Sequence, residues 1–222
     1  MKNNVHQAII FDLNGTMVDD MKYHTEAWHS IINGHLGGDI SLEALKKEMY
    51  GKNEELLVRV FGTEKFTTAQ MQELSLEKES RYQEAFLPQL KLIDGLPQFL
   101  ERAKENGIKM GIGSAAILFN IDFVLDNLGI RHYFDAIVSA DDVQQSKPDP
   151  ETFLKVAAAL GVDPKYCTVF EDAPKGVEAA AIAGMHSVVL TTMHQPIEFD
   201  AYKNIDFFIN DYTDERLNIF WK

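Results

Sequence analysis

One cysteine in 222 residues, Cys167, leaves no partner for an intrachain disulfide and no thiolate set for a structural zinc site. It lies in the apolar run Tyr166–Phe170 and reads as a small buried hydrophobe in a reducing compartment. Basic residues are scarce too: 21 Lys and Arg face 34 Asp and Glu, a formal charge of −13. Such a chain repels a polyanion, which excludes nucleic acid as a partner. Long hydrophobic runs are also missing. Met-Lys-Asn-Asn-Val-His-Gln precedes an apolar run of only Ala8 to Phe11, far short of a signal h-region or a membrane span. A cytoplasmic, monomeric protein with no membrane partner is the expectation. Internal repeats, low-complexity tracts and charge blocks are absent as well.

What is present is a chain 45% hydrophobic, enough to bury one sizeable core and carry a smaller inserted domain. Short apolar runs bounded by turn residues recur at 7–11, 108–113, 134–139, 166–171, 186–191 and 205–209, and each reads as a buried strand. Helical patterns lie between them, at Leu96–Glu105, Ile121–Leu128, Pro150–Leu160 and Pro174–Ala183, each stopped by a glycine at 107, 129, 161 or 184. Strands alternating with helices of this length predict an α/β fold, a doubly wound parallel sheet with right-handed crossovers. The stretch 19–91 is the exception. Its periodic segments, Tyr23–Ile32, Ser41–Met49, Glu54–Phe61 and Thr68–Phe86, are all helical. A loop of that length is abnormal, so it reads as an inserted helical cap, with the core formed by 1–18 and 92–222. Asp19 and Asp20 mark the start of that insertion.

In an open parallel sheet ligands bind beyond the carboxyl ends of the strands. Four segments sit there: Phe11-Asp12-Leu13-Asn14-Gly15-Thr16, Gly113-Ser114-Ala115-Ala116, Ser146-Lys147-Pro148-Asp149-Pro150 and Phe170-Glu171-Asp172-Ala173-Pro174-Lys175-Gly176. Together they bring a carboxylate, a hydroxyl, a cation and two more carboxylates to one sheet edge. Asp12 and Asp172 supply the hard oxygen ligands that suit Mg²⁺, while Ser114 and Lys147 suit the remaining oxygens of a phosphoryl group. With charge neutralised this way, a carboxylate can attack phosphorus. Ser114 equally suits a helix cap, and Glu171 equally suits a hydrogen-bonding role beside the ion.

These four segments, in this order and spacing, resemble the four motifs of the haloacid dehalogenase superfamily, and the helical insertion after the first resembles its beta-phosphoglucomutase-like branch. The resemblance implies Asp12 as nucleophile and Ser114 and Lys147 as phosphate binders, with Ala115 beside them. It implies Mg²⁺ held by Asp12, Asp172 and the Asn14 carbonyl, with Glu171 alongside. The substrate it implies is a small phosphorylated metabolite, hydrolysed through an aspartyl-phosphate beneath a closing cap. Asn14 stands where the family's phosphatases and mutases carry a second aspartate as general acid and base, and a carboxamide cannot take up and return a proton. Asn14-Gly15 is also sterically permissive for deamidation.

In the cap, Tyr23-His24-Thr25-Glu26-Ala27-Trp28 resembles the cap opening of these relatives, which makes His24 a substrate-binding candidate. In Met49-Tyr50-Gly51-Lys52-Asn53-Glu54, Tyr50 and Glu54 stand where the mutase carries Lys and Arg, and Lys52 is displaced yet within reach of the site. Trp28 and Tyr50 read as apolar packing. The rival readings are a sugar-phosphate mutase, a phosphonatase with Lys52 as Schiff base, and a silenced phosphometabolite-binding protein.

Overall fold

The apolar runs form strands β1 Ala8–Phe11, β2 Lys109–Gly113, β3 Ala136–Val138, β4 Cys167–Glu171, β5 His186–Leu190 and β6 Ile205–Ile209. Helices are α1 Met21–His29, α2 Leu42–Lys46, α3 Asn53–Phe61, α4 Thr68–Phe86, α5 Leu96–Glu105, α6 Leu118–Leu128, α7 Glu151–Leu160 and α8 Pro174–Ile182. These elements come from a computed structural model describing residues 6–221, which divides into two units, Met1–Asp19 with Lys91–Lys222, and Asp20–Leu90.

In the first unit all six strands run parallel in the order β3-β2-β1-β4-β5-β6. Central strands of such a sheet are covered on both faces, which is why β1 and β4 read as unbroken apolar runs rather than alternating ones. Every residue of both is buried. Alternation decides only which face a side chain meets. Ala8, Ile10, Cys167 and Val169 join Phe153, Val156 and Leu160 of α7 and Ala179 and Ala180 of α8. Phe11 and Phe170 point the other way and pack with Phe99 of α5, at ring-centroid distances of 6.2 and 5.3 Å. Full burial of a side chain such as Ile9, Ile10 or Phe11 contributes about 1.5–3 kcal/mol. Edge strand β6 is only partly covered. Helices α6 and α7 stop at Gly129 and Gly161, both left-handed at φ +66° and +65°.

The second unit contains helices and no strand among the described residues. Trp28, Ile31, Ile32, Leu45, Leu56 and Leu57 form its core, as the apolar spacing implies for Trp28. The α4 start is a capping box, in which the Thr67 N–H donates to Gln70 Oε1 at 2.9 Å and Thr67 Oγ1 accepts from the Gln70 N–H at 3.3 Å. Two helices depart from the form the periodicity predicts. After α1 the chain widens, the Leu36 N–H reaching back five residues to the Ile31 carbonyl at 3.1 Å. Helix α2 ends at Lys46, and the carbonyls of Glu48 and Tyr50 beyond it accept from Arg59 at 2.7 and 2.6 Å. Tyr50 is not core packing: it is 42% exposed and lies under the Arg59 guanidinium, 3.8 Å from ring centroid to carbon.

Candidate active site

Strand order reverses at β1, which has β2 on one side and the later β4 on the other. This is the switch point where an open parallel sheet leaves a crevice at its carboxyl ends. Asp12 is the first residue beyond β1, its N–H donating to the Phe170 carbonyl of β4 at 2.9 Å. Asp172 is the first beyond β4. Sheet order therefore brings together carboxylates 160 positions apart in sequence.

Lys147 joins the crevice from the loop before α7. Its Nζ donates to Asp12 Oδ1 and Glu171 Oε1, each at 2.7 Å, and sits 4.5 Å from the Phe153 ring centroid. Burial pushes the Asp12 carboxyl up to about 6; Lys147 opposes that rise, and Glu171 adds to it. Burial disfavours the Lys147 ammonium, but the Asp12 and Glu171 charges outweigh it and hold the group above its ordinary value. Ser114 follows β2 and is buried, and its hydroxyl favours the charged form of the Asp12 carboxyl. Its Oγ also accepts from the Ala116 N–H at 3.2 Å. It does not cap α6, whose first N–H, from Leu118, goes to Asp141 Oδ2 at 2.9 Å. Ala115 lies half-buried beside it.

Glu171 commits both oxygens elsewhere. Oε1 accepts from Lys147, and Oε2 from the N–H groups of Asp172 and Ala173 at 2.9 and 2.8 Å. These bonds suit Glu171 to a hydrogen-bonding role beside the ion. Among the described residues no three His, Cys, Asp or Glu side chains gather as a metal cage. The donors at hand are the Asp12 and Asp172 carboxylates, both oxygen, with the backbone at Gly15 close beside Asp172. That set fits Mg²⁺, which binds through one or two carboxylates and keeps several waters. A close backbone approach goes with it: Gly15 has φ +73°, and a Cβ there would run into the Asp172 carboxylate. Asn14 is half-buried and bridges to Val18.

Three residues beside the crevice were not among the site candidates read from the sequence. Thr16 Oγ1 lies 3.4 Å from Asp172 Oδ1, Thr192 Oγ1 donates to the Gly15 carbonyl at 2.6 Å, and the Tyr212 hydroxyl donates to the Thr16 carbonyl at 3.1 Å. Only the Thr16 position, inside the first segment, left a trace in the sequence.

The helical unit holds the remaining candidates. His24 is buried, with Nδ1 2.7 Å from Lys78 Nζ and its ring stacked on Tyr82 at 3.7 Å. Lys78 also donates to Glu79 at 2.9 and 3.0 Å, Asn53 to Glu79 at 2.6 Å, and the Tyr82 hydroxyl to Asp20 at 2.6 Å. Asp20, more than a boundary residue, is fully buried. Lys78 is 3% exposed, and burial lowers its ammonium from the ordinary lysine value against the pull of Glu79. A charged pair inside a helix reads as a solvated face, so sequence reasoning passed over Lys78 and Glu79. The available signal was spacing: Lys78 lies four residues before Tyr82, which lies four before Phe86, on one helical stripe. Lys52 is half-buried at the start of α3, its N–H on Glu55 at 3.1 Å.

Residues 6–184 match the family model described as haloacid dehalogenase-like hydrolase. Beta-phosphoglucomutase of Bacillus subtilis is 36% identical over 188 residues, 82% of each chain. Fructose-1-phosphate phosphatase YqaB of Escherichia coli is 33% identical over 186 residues, 82% of this chain and 95% of the relative. The crystal structure of beta-phosphoglucomutase from Clostridium difficile superposes with a TM-score of 0.81 at 28% identity, covering 93% of this chain and 92% of that one.

Proposed function

Since the chain belongs to the haloacid dehalogenase-like hydrolases, we propose that it is a Mg²⁺-dependent phosphatase of small sugar or polyol phosphates that works through a phosphorylated Asp12. The carrying observation is the buried Asp12–Lys147–Glu171 chain at the carboxyl ends of β1 and β4. The relatives named as acting on fructose 1-phosphate and on beta-phosphoglucose support the substrate class.

With a carboxyl titrating near 6, Asp12 is largely ionised at neutral pH and serves as the nucleophile. Its oxygen bonds to phosphorus as the bond to the leaving alkoxide breaks, and water then cleaves the acyl phosphate to return Asp12 and phosphate. Lys147 and Ser114 bind the transferring group's oxygens, and Glu171 keeps Lys147 in place. Asp12, Asp172 and the Asn14 carbonyl would hold Mg²⁺, whose charge would stabilise the negative charge gathered on the phosphoryl oxygens. His24 and Lys52 are assigned to the substrate side.

Two features set this chain apart from a full mutase. Asn14 cannot relay the proton that the leaving group and the attacking water need, and Tyr50 and Glu54 replace the mutase's basic pair. Hydrolysis of esters with good leaving groups is therefore favoured over phosphoryl exchange between sugar hydroxyls. The test is a screen of phosphorylated sugars and polyols with Mg²⁺, alongside Asp12→Asn. Turnover and an acid-stable, hydroxylamine-sensitive phosphoenzyme are expected from the parent alone. Turnover that survives Asp12→Asn would place the chemistry elsewhere.

A further inference from the structure

The turn Asn14-Gly15-Thr16 is closed by backbone bonds, the N–H groups of Thr16, Met17 and Val18 reaching the Leu13 carbonyl at 3.4, 2.8 and 3.3 Å. Gly15 brings no side chain, and a Cβ at its left-handed position would run into the Asp172 carboxylate. Inside the turn, the Gly15 N–H donates to the Val18 carbonyl at 2.8 Å. The peptide joining Asn14 to Gly15 is trans, so its carbonyl points opposite to that N–H. Whatever keeps Gly15 in place therefore also keeps the direction of the Asn14 carbonyl.

Two hydroxyls from distant parts of the core unit do so. Thr192 donates to the Gly15 carbonyl at 2.6 Å, and Tyr212 to the next carbonyl, that of Thr16, at 3.1 Å. Both donors are anchored. Thr191 ties its N–H to the Ile209 carbonyl at 3.0 Å and its hydroxyl to Asn210 at 2.7 Å, which fixes the chain at Thr192 to the end of β6. Tyr212 donates its N–H to the Asp94 carbonyl at 2.9 Å and stacks on Phe170, with ring centroids 5.5 Å apart. Two consecutive carbonyls are thus held from outside the turn, just past the nucleophile.

We propose that Thr192 and Tyr212 are positioning residues whose hydroxyls lock the Asn14-Gly15-Thr16 backbone, keeping the Asn14 carbonyl in the one direction that serves a divalent cation beside Asp12 and Asp172. This rests on the cation-dependent function proposed above. The same lock restrains a side reaction of Asn14. In deamidation the Gly15 nitrogen attacks the Asn14 side-chain carbonyl and ammonia leaves; water then opens the cyclic imide to aspartate or isoaspartate. Held on Val18, the Gly15 nitrogen is kept from that attack.

The experiment compares the parent with Thr192→Val, Thr192→Ser, Tyr212→Phe and Asp172→Asn, by calorimetric Mn²⁺ titration, melting temperature in chelator and peptide mapping after storage. Thr192→Val and Tyr212→Phe should each weaken Mn²⁺ binding by about three- to tenfold, the range of one hydrogen bond. Both should deamidate faster at Asn14, and Thr192→Ser should behave as the parent. Mn²⁺ affinity lost in Asp172→Asn but unchanged in Thr192→Val and Tyr212→Phe overturns the lock alone. Mn²⁺ binding that is absent from the parent, or indifferent to Asp172→Asn, refutes the cation site and the lock with it. Deamidation no faster in either hydroxyl variant also overturns the lock.

Discussion

Replacing Lys147 with Met removes a cation and keeps most of the side chain's volume, which isolates the charge. Lys147 is 8% exposed and sits 2.7 Å from a carboxylate oxygen on each side. Its removal leaves two carboxylates buried. Glu171 keeps the N–H groups of Asp172 and Ala173 at 2.9 and 2.8 Å, so the loss falls on Asp12. Breaking a buried pair by deleting one partner costs about 3–5 kcal/mol, which lowers the melting temperature of a chain this long by roughly 6–20 °C. The deficit should depend on pH. Burial already raises Asp12 to about 6 with Lys147 present, and the variant raises it further. A carboxyl whose folded pKa exceeds its unfolded one binds more protons in the fold, so stability is gained as pH falls through that interval and lost as it rises. Melting in chelator at pH 5.5 and pH 8, for parent and variant, should therefore show the larger gap at pH 8. A gap below about 2 °C at pH 8, less than the penalty of one unpaired buried charge, would refute this reasoning. So would equal gaps at the two pH values.

Asn14→Asp should raise kcat on alkyl phosphates by about 10²–10⁴-fold and flatten the dependence on leaving-group pKa, because it restores a group able to relay protons; a variant no faster on any ester would show that Asn14 does not mark a missing acid–base. Gly15→Ala places a Cβ into the Asp172 carboxylate at a left-handed backbone position, which by itself costs about 1–2 kcal/mol, so a lower urea midpoint and weaker Mn²⁺ binding are expected together. A midpoint equal to the parent's would contradict the tight approach. Burial pushes the Cys167 thiol up to about 11, so a thiol reagent at pH 8 should label the chain only after unfolding; rapid labelling of the native chain would disprove that burial.

The residue order alone was enough to place the strands and most helices. Each apolar run of five or six residues between turn formers had to be buried, on both faces for the central strands, and each stretch periodic at three to four residues had to present one stripe to a core. The four polar segments were legible because three of them interrupt the pattern immediately after a strand and the fourth, with Lys147, just before α7, where no packing demand explains Asp12, Lys147 or Asp172. Helix ends were less legible. The Glu48 and Tyr50 carbonyls beyond α2 are taken by Arg59, a partner eleven and nine residues away that periodicity does not register.

What tertiary structure decided are the contacts made across large separations. β1 lies between β2 and β4 because the sheet reverses its winding there, and only that order sets Lys147 against Asp12 and Glu171 and fixes which oxygens of Glu171 are spent. His24 meets Lys78 only once α1 packs on α4, and Thr192 and Tyr212 reach Gly15 and Thr16 across 177 and 196 positions. A side chain's own segment records whether it faces a core. The donor or acceptor it meets there is set by the packing of elements far away in the chain, so the candidate residue types could be read in order along the sequence, whereas their pairing, their protonation and the supports behind them arose only from the folded sheet and bundle.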